Sequence, residues 1–192
     1  SRGLGDVYKR QPEYLFFLGN TDPKKNTPGT LKAYAEYVRR SENPLPLLVA
    51  DLGEQPAEAI LREIGEPRLR GMLRLAGYIP NSDLPAIYNR ASAFLYTSLR
   101  ESFGIPQLEA MACGTPVVTS ATSAIPEVAG EGAILVDPTD PKAIADALLR
   151  LETDAAFRAR QVAYGLERVK RFSWEKTARH LLALYESLGK TN

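Results

Sequence analysis

From Tyr14 onward, short apolar runs alternate with amphipathic stretches, and this alternation constrains the fold more than any other feature of the chain. The runs fall at residues 14–18, 47–50, 72–76, 93–96, 116–119 and 133–136. Most are continuous rather than alternating in polarity, as expected of strands covered on both faces. Between them, Leu31/Ala35/Val38, Ile60/Leu61/Ile64 and Leu84/Ile87/Tyr88/Ala91 repeat at helical spacing, and Ser82 is the expected N-cap of the third helix. Strand and helix in strict alternation predict parallel strands joined by right-handed crossovers. The fold class is therefore α/β, a Rossmann-like doubly wound parallel sheet of six strands. After Val136 the alternation stops, and residues 141–151, 155–171 and 174–188 read as three further helices.

Length and charge narrow the partners. At 192 residues the chain is sized for one domain, and 24 Lys+Arg against 23 Asp+Glu leave a formal net charge of +1. A nucleic-acid or membrane-surface partner leaves a basic footprint that is missing here, so the expected partner is a small molecule or another protein. A single cysteine forms no internal disulfide, and no apolar run approaches the ~18 residues of a membrane span, so a reduced, cytoplasmic domain is expected. Residues 1–11 fit neither the helical nor the strand period and resemble an adapter-derived scar, which leaves residues 12–192 as the single domain.

In a doubly wound sheet, ligands bind beyond the carboxyl ends of the strands. The loop after the fourth strand reads Thr97-Ser98-Leu99-Arg100-Glu101-Ser102-Phe103-Gly104-Ile105-Pro106 and leads into a helix that carries Glu109. Pro106 suits the first helical position, and the free N–H groups of Phe103, Gly104 and Ile105 would form an anion site with the helix dipole behind them. Glu101 and Glu109 supply acceptors for hydroxyls beside donors for phosphate. A sugar nucleotide presents both chemistries.

The segment from Glu101 to Val118 resembles the E-x7-E region of the retaining group 1 (family 4) glycosyltransferases of GT-B architecture. Gly77-Tyr78-Ile79-Pro80 and Ile125-Pro126-Glu127-Val128-Ala129-Gly130 stand in the order and spacing of that family. The resemblance implies a donor-binding C-terminal half whose N-terminal acceptor domain is absent, with the final helix from Trp174 packing across that domain. It implies that Glu109 holds the ribose hydroxyls of the donor, that Glu101 contacts the transferred sugar, and that Ser102, Phe103, Gly104 and Ile105 line the sugar and diphosphate. Tyr78 and Ile79 belong to a loop near the base. The first loop, Gly19-Asn20-Thr21-Asp22-Pro23-Lys24-Lys25-Asn26, corresponds to the family's Gly-Arg...Lys loop, in which two cations neutralise the diphosphate. Lys25 matches the lysine, while Asn20 stands in place of the arginine and Lys24 is the candidate substitute. A Gly-Asn...Pro-x-Lys-Asn loop resembles a mannosyltransferase-like branch, which tilts the donor towards GDP-mannose over a UDP-sugar.

By the same resemblance the activity is transfer of a hexosyl group from a nucleotide sugar to a glycan or lipid-linked acceptor. Glu101 and Lys25 are the catalytic candidates, no cofactor and no metal are expected, and the full-length enzyme is peripheral to the inner face of the membrane. Two alternatives stand beside this one: a noncatalytic nucleotide-sugar-binding module, and a sugar-nucleotide epimerase of GT-B architecture. Cys113, in an apolar helix end, reads as a small hydrophobe, and His180 as a surface or packing residue. Gly189-Lys190-Thr191 lacks the strand and first glycine of a P-loop.

Overall fold

The computed structural model describes residues 14–189. The segment read as an adapter scar, residues 1–11, lies outside the described residues. Six strands, β1 (Tyr14–Leu18), β2 (Leu47–Ala50), β3 (Leu73–Gly77), β4 (Ala91–Tyr96), β5 (Val117–Ser120) and β6 (Ile134–Val136), form one sheet in the order β3-β2-β1-β4-β5-β6. Every neighbouring pair is parallel. This is the doubly wound order, and its switch point falls between β1 and β4.

The period of two along each strand sorts the core into two layers. Leu15 and Phe17 of β1, Val49 of β2 and Leu95 of β4 point to one face, where they meet Leu31 and Tyr34 of α1 (Thr27–Arg40), Leu61 of α2 (Glu54–Glu63), and Ile144 and Leu148 of α6 (Pro141–Thr153). Phe16 and Phe94 point to the other, beneath α3 (Leu84–Arg90) and α4 (Ile105–Ala112), with Tyr88 and Met111 buried between. There the Tyr88 ring meets Phe16 and Phe94 edge-on, with centroids 5.4 and 5.2 Å apart. The continuous apolar runs at β1, β4 and β5 are thus explained by helices on both sides. At the edge, β3 buries little beyond Leu73, and no strand among the described residues pairs with its far side.

Three local expectations are corrected. Ala91 opens β4 instead of continuing α3, which ends at Arg90, so the apolar spacing at that point belongs to a strand. Ser82 is not the N-cap of α3. Asp83 occupies that position in a helical conformation, where a side chain cannot fold back on the first turn, and the Ser82 hydroxyl bonds the Asp83 carboxylate at 3.0 Å instead. Pro106 is the second residue of α4 rather than the first, because Ile105 already has helical geometry after Gly104.

A short helix, α5 (Ile125–Ala129), lies between β5 and β6, and after β6 the three expected helices follow as α6, α7 (Ala155–Val169) and α8 (Trp174–Gly189). On α8, Trp174 is 80% exposed and Tyr185 67%, with Leu181 and Leu184 about half exposed, as expected for a helix whose apolar stripe has no partner among the described residues. No helix among those residues is long and apolar enough to cross a membrane.

Candidate functional site

The loops after β1 and β4 part at the switch point and are bonded to each other across it. The Leu99 N–H donates to the Lys24 carbonyl at 2.7 Å. Asn26, held in the left-handed region with φ 55°, donates its amide to the carbonyls of Thr97 and Pro138 at 3.1 and 2.8 Å. Beneath it, the buried hydroxyls of Thr30 and Thr97 meet at 2.5 Å. The first loop is also bonded internally: Asn20 Oδ1 accepts from the Asp22 N–H at 2.9 Å and the Asn20 carbonyl accepts from the Thr27 hydroxyl at 2.5 Å. Gly19 is obligatory at its start, since a Cβ there would lie 2.0 Å from the buried Phe17 ring.

This scaffold brings Lys25 and Glu101 together. Lys25 Nζ donates to Glu101 Oε1 at 2.7 Å, and both side chains are mostly buried. The ammonium also lies 5.5 Å from the centre of the Tyr96 ring. Burial opposes the Glu101 charge. Hydrogen bonds from Lys25 and Ser98, the Lys25 charge and a bond from Tyr96 outweigh it and hold the carboxyl below its ordinary range. Burial, reinforced by the Glu101 charge, pushes the Tyr96 hydroxyl far up, so it stays a donor. The two catalytic candidates therefore form one ionised pair at the mouth of the switch point. Lys24 does not join them: its exposed ammonium pairs with Asp22 at 3.1 Å.

After Glu101 the chain turns into α4 through Gly104, whose φ of 90° suits glycine. A Cβ there would sit 2.8 Å from the Gln107 amide and 3.1 Å from the Tyr96 ring. The N–H groups of Phe103, Gly104 and Ile105 donate to no described residue, and they precede the positive end of the helix. Ser102 is exposed and Phe103 packs edge-on against Phe172 with centroids 5.7 Å apart. The turn is thus a row of free donors beside a lysine, a suitable arrangement for the oxygens of a diphosphate.

Beside it opens a cavity of about 250 Å³, lined by Leu18, Ala50, Asp51, Tyr78, Ile79, Asn81, Leu84, Ile105, Pro106 and Glu109. Glu109, Tyr78, Ile79 and Ile105 of the predicted site meet here. Glu109 Oε2 accepts from the Tyr88 hydroxyl at 3.3 Å, which steadies the carboxylate from below. Burial and the Glu109 charge keep that hydroxyl protonated. Sequence reasoning missed Asp51, Asn81 and Leu84. Asn81 and Leu84 directly follow the Gly-Tyr-Ile-Pro loop, which was a signal for them, whereas nothing around Asp51 marks it. Cys113 is the C-cap of α4 and partly buried; burial and then the Glu109 charge push its thiol up, so it is a poor thiolate. His180 is exposed on α8.

A doubly wound sheet with a turn of free N–H donors and a carboxylate-edged cavity beyond the carboxyl ends of its strands has its open groups where ligands bind in folds of this kind. Residues 7–168 match the family of glycosyl transferases, group 1. The chain is 34% identical over 175 residues to an O-antigen chain mannosyltransferase B of Escherichia coli, covering 91% of this chain and 46% of that protein. It is 34% identical over 186 residues to a D-inositol 3-phosphate glycosyltransferase of Frankia alni, covering 92% of this chain and 46% of the relative. Among solved structures, a sucrose-phosphate synthase from Thermosynechococcus elongatus superposes with a TM-score of 0.79 at 27% identity, over 98% of this chain and 48% of that one. The chain belongs to the group 1 glycosyltransferases, and its fold is that of the C-terminal Rossmann-like half of their GT-B architecture. It spans just under half the length of each of these two relatives.

Proposed function

We propose that this domain binds the nucleotide-sugar donor of a retaining hexosyltransferase, and that the donor is GDP-mannose. The observation that carries the reading is the pairing of Lys25 with Glu101 beside the free N–H groups of residues 103–105, at the switch point of the sheet. When the bond between the sugar and the diphosphate breaks, positive charge grows on the sugar and negative charge on the leaving oxygen. Lys25 and the turn before α4 face the leaving diphosphate, Glu101 accepts hydrogen bonds from the sugar hydroxyls, and Glu109 accepts from the ribose. With a cation and a helix N-terminus already aimed at the diphosphate, the site needs no metal ion.

A bound donor would divide the Lys25–Glu101 pair between its own two chemistries, the phosphate taking the ammonium and the sugar the carboxylate. Mannose as the transferred sugar is supported by the Gly-Asn...Pro-x-Lys-Asn loop and by the name of the E. coli relative. The N-terminal half of the longer relatives would supply the acceptor site, and the exposed stripe of α8 is the surface suited to pack against it.

Calorimetric titration of the chain with GDP-mannose, UDP-glucose and ADP-glucose tests the reading. GDP-mannose should bind, and Glu109→Ala should weaken it. Binding by none of the three, or binding untouched by that substitution, sinks the site.

A further inference from the structure

We propose that Asp51 reads the base of the donor and selects guanine. This rests on the donor-binding reading above and concerns the far part of the same site. The cavity volume of about 250 Å³ lies below the roughly 300–1,000 Å³ of pockets that enclose a whole drug-sized ligand. It therefore takes one part of the donor. With Glu109 beside the turn assigned to the diphosphate, that part is the nucleoside.

Two observations single out Asp51. First, its backbone sits at φ 59°, a conformation that glycine adopts freely and other residues adopt at a cost. Its N–H donates to the Gly77 carbonyl at 2.8 Å, which ties the end of β2 to the end of β3 and holds the residue there. Second, Asp51 is one of the residues that line the cavity, it is exposed, and its carboxylate has no hydrogen bond or ion pair with any described residue. A carboxylate thus occupies a position where glycine would be easier, and it is not used to hold the fold.

The walls explain what it would meet. Leu18, Ile79 and Pro106 give the cavity apolar sides suited to the faces of a heterocycle, and Tyr78, 78% exposed, stands at its rim. At the edge, an ionised carboxylate only accepts. Guanine presents two adjacent donors, its ring N1–H and its 2-amino group, which a carboxylate takes together. Uracil presents one N–H flanked by two carbonyl oxygens that repel a carboxylate. Adenine offers one amino group beside a ring acceptor. Guanine is the base that this edge fits.

The test is titration of the chain and of Asp51→Asn with GDP, IDP, UDP and ADP; IDP is GDP without the 2-amino group. Asparagine tolerates the positive φ, so the fold is kept, and circular dichroism confirms it. In the native chain, GDP should bind at least about tenfold tighter than IDP, UDP or ADP. In Asp51→Asn, GDP should lose about ten- to a hundredfold, the span expected for hydrogen bonds to a charged group, and fall close to IDP, with UDP unchanged. An unchanged ratio of GDP to IDP in the variant overturns the role of Asp51 and leaves the donor site standing. UDP or ADP binding tightest to the native chain overturns guanine selection. No binding by any nucleotide overturns the donor site, and this inference with it.

Discussion

The two ends of the proposed donor site, one assigned above to the phosphates and one to the base, are built differently. At the phosphate end, the loops after β1 and β4 are cross-bonded by the Leu99–Lys24 backbone bond, the Asn26 amide, the Thr30–Thr97 hydroxyl pair and the Lys25–Glu101 ion pair. Ser123 adds a further tie, donating its hydroxyl to the Glu101 carbonyl at 2.7 Å. At the base end, Tyr78 is exposed, Asp51 is unengaged, and Glu109 has one long bond from Tyr88. The contrast fits the chemistry that the proposed donor would present to each end. A diphosphate is the same in every nucleoside-diphosphate sugar, and a charged group is bound best by donors already in place, which need no reordering on binding. A base varies between donors, so its recognition falls to a few edge groups that stay open until the ligand arrives.

Substitutions at the two ends should separate accordingly. The largest effect is expected from Lys25→Ala, which removes the cation from the phosphate end and leaves a mostly buried carboxylate without its main partner. Titration should show about a hundredfold loss of affinity for any nucleoside diphosphate, and denaturant unfolding a loss of about 1–3 kcal/mol. If the base end dominated affinity, Lys25→Ala would cost little and the contrast would break. Next comes Glu109→Ala, which should weaken GDP, UDP and ADP alike by about tenfold, since the ribose is common to all three.

A smaller effect lies in the pH dependence of stability. The folded carboxyl of Glu101 titrates below its ordinary value of 4.5. Its contribution is therefore fully present above that value and is lost as the pH falls through the lower, folded pKa, so stability declines with acid over that window. Glu101→Gln should flatten that part of the profile in urea unfolding, and an unaltered slope would show that the pair does not hold the loops. The smallest effect is expected at Lys24. Its ammonium is half exposed and paired only with Asp22, so Lys24→Ala should change stability by less than about 0.5 kcal/mol and affinity by less than about twofold. A large loss on titration would make Lys24 the second cation after all.

Most of the sheet was legible because a strand buried on both faces must be apolar throughout, as at β1, β4 and β5. Boundaries failed where a residue served two patterns: Ala91 continues the apolar spacing of α3 and also begins β4, and only the pairing of β4 with β1 decides between them. Ser82 has the chemistry of a cap, but capping depends on backbone angles that a residue type does not announce. In the site, Glu101, Gly104 and Glu109 could be found because they share one loop and helix. Asp51 could not, since no neighbour in sequence marks it and its place in the cavity depends on β2 lying between β1 and β3.

The sequence by itself determined the class of fold, the family and the chemical groups available to the site. These follow from local periodicity and from motifs within single loops, where the chain's own spacing places the atoms. Tertiary structure alone decided which groups meet. Lys25 and Glu101 are 76 residues apart in the chain and 2.7 Å apart in space because β1 and β4 are neighbours at the switch point. Lys24, one residue earlier, faces Asp22 instead, because a short turn of 3-10 helix at Pro23–Lys25 points consecutive side chains in different directions.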